Sequence, residues 1–246
     1  MKKLLVVMPV HNDERYIERA INSVINQTFK NFKLCIVNDC STDNSLQKIK
    51  PYLKNENIEL IDNVKNGGCF YSKNIGIKLL EKEHFDVYTT HDADDFSDST
   101  RFEKIIKLFD DENVLAVQDV DLRIGGTPPE WFAKVGQSMP NHAHAFFSKK
   151  SFEIFGYYDN YMCSSDTELW NRILKYIEIN KKYKISTLRE LLYYSQITDK
   201  NMIVRMGMDI RKPHFDNYMN KISQMKEDKD FYKPFFSIDE AIKWNT

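Results

Sequence analysis

The 246-residue sequence predicts an α/β fold with a mostly parallel central sheet and helices on both faces. Three observations predict it. Apolar runs alternate with helical patterns through residues 1–120. Those runs are continuous, as strands buried on both faces require. Polar clusters follow the strand ends, where open parallel sheets place their ligand crevices.

Leu4–Val10 is the first such run and reads as a buried strand. Tyr16, Ile17, Ala20, Ile21, Val24 and Ile25 then recur at helical spacing, with Asn12 or Asp13 placed to cap that helix. Lys33–Asn38 is the second strand. Asp39 to Asp43 is turn chemistry, and Asp43 can cap a second helix. Ile58–Ile61 is a short third strand. Asn66-Gly67-Gly68 is a loop leading into a helix over Tyr71–Lys82. Phe85–Thr90 is a strand ending in HDADD, Ser97 to Asp110 a helix, and Val114–Val117 a further strand.

Beyond residue 120 the pattern loosens. Ile124–Pro129 (IGGTPP) reads as a loop and His142–Ser148 as a strand. Lys149–Phe155 and Thr167–Ile177 read as helices, with Gly156–Asp159 a turn, and Leu191–Tyr194 as a last strand. From Lys200 onward the pattern is helical, charged and aromatic, with a capping-box signature at Ser237–Glu240. The expected division is a regular α/β half over 1–120, a less regular half of the same domain over 121–200, and a helical C-terminal extension over 201–246.

A hydrophobic content of 42% and an aromatic content of 13% supply a core. With 35 Lys+Arg against 36 Asp+Glu the net charge is -1, so no global field favours nucleic acid or an anionic membrane. Cys35, Cys40, Cys69 and Cys163 make no CxxC pair, which argues for a reducing compartment and against a disulfide frame or zinc site. The opening MKKLLVV lacks a small-residue cleavage site and reads as strand, not as a signal peptide. No apolar stretch approaches the ~18 residues of a membrane span. A cytoplasmic protein is expected, with any membrane contact peripheral.

Three carboxylates in His91-Asp92-Ala93-Asp94-Asp95 repel one another unless a cation neutralises them. Hard oxygen ligands at a strand end suit Mg²⁺ or Mn²⁺. The plain alternative is an acidic, solvated turn. Asp166 is either a helix cap or a general base. Asp39 can accept a base imide N–H or close an Asx-turn. Asn66 and Gly67 let backbone approach a ligand, and Lys73 either faces a phosphate or is solvated. His142 and His144 share one face of their strand, lining an acceptor cleft or the core edge rather than forming a metal pair. Trp131 either stacks on an acceptor or packs.

Taken together these motifs carry a resemblance. LVVMPVHNDERYI, SVINQTF, IVNDCSTDNS, NGG with SKNIG, HDADD, and FGYYD with SSDTELWNRI resemble, in order, the family 2 glycosyltransferases over about residues 3–200. The resemblance implies the GT-A fold, which is Rossmann-like, and an inverting enzyme. It implies that the half over 1–120 is the nucleotide-sugar side and the half over 121–200 the acceptor side. It implies that Pro9, Val10, Asn12, Asp39, Asn66, Gly67, Lys73, Asp92 and Ala93 hold the donor nucleotide. Asp94 is then the first choice for metal, with Asp92 and Asp95, and the cofactor is Mn²⁺ or Mg²⁺. Asp166 is the base that takes the acceptor proton in a single displacement from a nucleotide-sugar, by family frequency a UDP-sugar.

Four departures from the family pattern stand out. Asn38 stands where an acidic residue is common, and Lys73 where an arginine fork is usual. Ser165 replaces a common glutamate. Thr198 and Asp199 stand where many members carry an Arg and a His that help hold diphosphate and metal. Two other readings share the fold: a catalytically silent binding or scaffold protein, and a sugar-1-phosphate nucleotidyltransferase. The second should open with a Gly-rich basic loop, which HNDER is not; nor is there a GxGxxG for a dinucleotide. The expected acceptor is a glycan, a lipid-linked glycan or a protein side chain, consistent with polysaccharide biosynthesis. No nucleic-acid partner is expected, a modified base being the exception.

Overall fold

A computed structural model describes residues 1–126, 136, 138–159, 163–198 and 208–227. Eight strands form one sheet in the order β3-β2-β1-β4-β7-β6-β8-β5. They are β1 (Leu4–Val10), β2 (Phe32–Asp39), β3 (Ile58–Asn63), β4 (Val87–Thr90), β5 (Phe96–Ser97), β6 (Val114–Ile124), β7 (Ser138–Ser148) and β8 (Lys184–Gln196). The helices are α1 (Ile17–Ile25), α2 (Ser45–Ile49), α3 (Cys69–Leu80), α4 (Arg101–Ile106), α5 (Lys149–Phe155), α6 (Ser165–Ile179) and α7 (Met208–Ser223). Strands β3, β2, β1 and β4 run parallel. Strand β7 then runs antiparallel to both β4 and β6, so the parallel character of the first half is not kept.

The continuous apolar run of β1 is explained by two cores. Leu5 and Val7 pack with α3, α5 and α6 on one face, and Leu4, Val6, Met8 and Val10 pack with α1 and α4 on the other. Each such side chain, fully buried, contributes about 1.5–3 kcal/mol. Helix α1 adds Ile17, Ala20, Ile21 and Val24 along one stripe. In α7, Tyr218 and Ile222 bury against the first of these cores, with Met225 just beyond the helix.

Several boundaries differ from the sequence reading. Ser97 pairs with Tyr193 in β5, and α4 starts only at Arg101, because Asp98 Oδ1 accepts the Thr100 N–H at 2.8 Å and closes a turn first. No side chain caps α1, whose N-cap is Tyr16; Asn12 instead spans to the β2–α2 loop. Asp43 sits one residue before the α2 N-cap, yet its Oδ1 accepts the Ser45 N–H at 2.9 Å. Strand β6 runs on past Val117 through the buried Asp119 and Asp121, and residue 120 lies inside it. Trp131 and Ser237–Glu240 lie outside the described residues, as does most of 201–246.

One glycine sets the spacing of helix and sheet. A Cβ on Gly76 of α3 would lie 2.6 Å from Val7 Cγ1 and 3.2 Å from Val37 Cγ2, both side chains fully buried in the sheet. Gly76→Ala gains about 1 kcal/mol of helix propensity but overpacks a core where such insertions cost about 1–3 kcal/mol. A lower urea midpoint with unchanged slope is the expected result, and a raised midpoint would show that α3 can shift freely.

Candidate active site

The carboxyl ends of β1, β2 and β4 converge with the first turn of α3. Pro9 and Val10 end β1, both buried. Asn12, at φ 61°, accepts the Thr42 N–H at 2.7 Å on Oδ1 and ties the first loop to the second. His11 donates through Nδ1 to the Asp39 carbonyl at 2.8 Å. The Asp39 carboxylate accepts Gly67 N–H at 2.9 Å, Gly68 N–H at 2.7 Å and Asn63 Nδ2 at 3.0 Å. A carboxylate offers about four lone-pair sites, so Asp39 anchors the NGG loop and keeps one. Asn66 Nδ2 reaches the Asp39 carbonyl at 3.4 Å. Asn38 donates to Asp62 at 2.6 Å, so it is occupied by β3.

HDADD follows β4. The His91 imidazole is fully buried, and burial, with Arg101 nearby, pushes its pKa down to about 3. Its Nδ1 donates to the Asp92 carbonyl at 3.0 Å, leaving Nε2 to accept from Ser97 Oγ at 3.0 Å. Asp92 is 36% exposed, yet its Oδ1 is buried, with Lys73 Nζ 3.5 Å away. Burial opposes the charge on Lys73, but Asp92 outweighs it and holds the ammonium above the ordinary lysine range. The same pairing, against the opposing effect of burial, lowers the pKa of Asp92, with His144 adding to it. Asp95 goes the other way: burial, then Asp94, then Asp92 raise it well above the usual carboxylate range. Its Oδ1 accepts the Gln196 N–H at 2.7 Å. Asp94 is half-buried, and its carbonyl accepts Arg19 Nη2 at 2.7 Å. Ala93 is buried.

The sequence reading did not place His144 here. Its Nε2 lies 3.6 Å from Asp92 Oδ2 and 3.5 Å from Asp95 Oδ2, and burial holds its pKa well below the ordinary histidine value. Its ring stacks on Tyr193 at 4.5 Å. The Tyr193 oxygen accepts the Asp92 N–H at 3.2 Å, and its hydroxyl partly offsets the upward shift of Asp95. The period-2 spacing of His142 and His144 was the available signal, but it does not reveal which loop the face meets. Ligand atoms of Asp92, Asp95 and His144 lie within 4.8 Å of one another. The clustered Asp92 and Asp95 carboxylates, with a buried Asp92 oxygen lacking a hydrogen bond, fit a divalent cation.

Asp166 lies in the first turn of α6. Ser164 is the N-cap, so Asp166 is not. Its Oδ1 accepts the Thr167 N–H at 2.8 Å, and Thr167 Oγ1 meets His142 Nε2 at 3.1 Å. The His142 ring stacks on Trp170 at 5.8 Å. After the larger effects of burial, the Asp166 charge also acts on Lys73, Tyr158 and His142. Arg172 fixes this end of α6: it donates to the Phe155 carbonyl at 2.6 Å and pairs with buried Glu168 at 2.8 Å. Thr198 follows β8 two residues after Gln196, whose N–H meets Asp95, and Asp199 lies outside the described residues.

Comparison with known proteins agrees with this layout. The model of the family described as glycosyl transferase family 2 matches residues 5–174. A protein of Haemophilus influenzae named an uncharacterized glycosyltransferase is 35% identical over 102 residues, 41% of this chain and 31% of that one. TarS of Staphylococcus aureus, named a poly(ribitol-phosphate) beta-N-acetylglucosaminyltransferase, is 27% identical over 144 residues, 56% of this chain and 25% of its own. The TarS structure with UDP-GlcNAc superposes at a TM-score of 0.63 and 20% identity, covering 89% of this chain and 65% of that one. A mannosyltransferase from Pyrobaculum calidifontis, in complex with GDP-Man and Mn²⁺, superposes at 0.67 and 15% identity over 92% of this chain and 65% of that one. These likenesses establish the GT-A fold. The chain spans less than half the length of the curated relatives it matches.

Proposed function

The chain belongs to glycosyl transferase family 2, and from that premise we propose that it transfers a sugar from a nucleoside-diphosphate donor to an acceptor hydroxyl with inversion. The observation that supports the reading is the pairing of buried Lys73 with Asp92 at the strand ends, with Asp166 near enough to act electrostatically on Lys73. Asp39, with one lone pair left, receives a base imide N–H; Asn12 and the NGG backbone shape the pocket around it. Lys73, held by Asp92, presents a point charge to the diphosphate. A bound Mn²⁺ or Mg²⁺, held by Asp94 with Asp92 and Asp95, would neutralise the charge of the leaving group. Asp166 accepts the acceptor proton as the hydroxyl attacks the anomeric carbon from the face opposite the diphosphate.

The mannosyltransferase neighbour contains GDP-Man and the TarS neighbour UDP-GlcNAc. We read the donor here as a UDP-sugar and the acceptor as a hydroxyl on a cell-surface polymer, supported by the likeness to TarS. Among the described residues, no helix is long and apolar enough to cross a membrane. A thermal-shift panel of nucleoside diphosphates with and without Mn²⁺ tests the donor site. Ligand at about 100 times its Kd adds about 2.7 kcal/mol. A shift with UDP that needs Mn²⁺ is expected. No shift with any nucleotide would favour a silent binding protein on the same fold.

A further inference from the structure

We propose that Arg101 and Asp119, buried together beneath HDADD, are positioning residues that hold His144, Tyr193 and His91 in the arrangement supporting Asp92 and Asp95. The inference rests on the glycosyl-transfer reading of that site. Neither side chain is exposed at all. Arg101 Nε donates to Asp119 Oδ2 at 2.7 Å and Nη2 to Asp119 Oδ1 at 3.1 Å, a two-point fork. The donors of the guanidinium reach further. Nη2 also donates to the His144 carbonyl at 3.0 Å, and Nη1 to Ser97 Oγ at 3.4 Å. Its Cζ lies over the Tyr193 ring, 4.3 Å from the ring centre.

Each of these three contacts touches the carboxylate cluster by a different route. His144 puts Nε2 within 3.6 Å of both Asp92 and Asp95. Tyr193 takes the Asp92 N–H. Ser97 supports His91, whose Nδ1 holds the Asp92 carbonyl. One guanidinium thus braces β7, β8 and β5 against one loop. The pairing of β6 with β7 slips between Val117 and Asp119, and such irregularities re-aim side chains beside active sites. A buried ion pair is a poor device for stability alone, since apolar residues of similar volume often serve as well. A lysine could keep the charge opposite Asp119 but not make all four hydrogen bonds in one plane.

Two variants test this: Arg101→Lys, and the apolar pair Arg101→Met with Asp119→Leu. The readout is UDP affinity by calorimetry, with and without Mn²⁺. Both variants should fold, with Tm within ~5 °C of the parent. The affinity gained on adding Mn²⁺ should fall about five- to tenfold, as expected for misplaced ligands, while metal-free UDP affinity stays put. A merely structural role would lower both affinities together, and that outcome overturns the proposal. So does an unchanged Mn²⁺ gain in a folded variant. Should the double variant fail to fold, Arg101→Lys decides alone. A parent protein whose UDP affinity ignores Mn²⁺ would instead sink the metal reading of the site, which distinguishes the two failures.

Discussion

Asp166→Asn should abolish transfer while leaving donor binding intact. A positioned general base is worth about 10²–10⁴ in rate, and asparagine cannot accept the acceptor proton at neutral pH. The substitution is otherwise mild. Asn Oδ1 can still accept the Thr167 N–H that Asp166 accepts at 2.8 Å. Losing a carboxylate from the first turn of α6 costs about 0.3–1 kcal/mol through the helix dipole. The end of the helix stays pinned by Arg172 on the Phe155 carbonyl. Expected values are a kcat lowered about 10³-fold, an unchanged UDP Kd and a nearly unchanged Tm. Turnover close to the parent's would remove Asp166 from the base role and turn attention to His142, which meets the same helix through Thr167.

Much of this site was legible in sequence because the topology is regular where the chain is apolar. The run Leu4–Val10 gave β1 with its observed bounds, since both of its faces are covered. Parallel order then brings His11, Asp39 and HDADD to one edge whatever their separation. Harder to read were charged residues inside strands. Asp119 is unexposed in β6 only because Arg101, eighteen residues earlier, supplies its counter-charge. Periodicity treats both as surface. Likewise Tyr193 read as ordinary strand filler, though its oxygen meets Asp92 across 101 residues of sequence. Asp166 was assigned by motif, but the N-cap role weighed beside it belongs to Ser164, in a left-handed conformation at φ 64°.

Where the cation sits has two geometric answers, and a pair of variants separates them. Asp92, Asp95 and His144 form the tight triangle of ligand atoms, whereas Asp94 is half-buried and not part of it. Mg²⁺ and Mn²⁺ dehydrate reluctantly and share their coordination with waters and substrate phosphates. His144 is 5% exposed and Asp95 3%, which leaves no access for a diphosphate from that side. Asp94 is only half-buried and Asp92 is 36% exposed, so both are more accessible. Asp94→Ala should therefore cut the Mn²⁺-dependent part of UDP affinity by about 100-fold, and His144→Ala by less than about tenfold, in line with support from beneath rather than ligation. EDTA should reduce the parent protein to the Asp94→Ala level. Electron spin-echo spectra of bound Mn²⁺ should show no nitrogen coupling from the protein. A nitrogen signal that vanishes in His144→Ala would instead put the ion inside the triangle. Asp94 would then act only through its charge on Asp95, the carboxyl whose pKa burial and its acidic neighbours already raise.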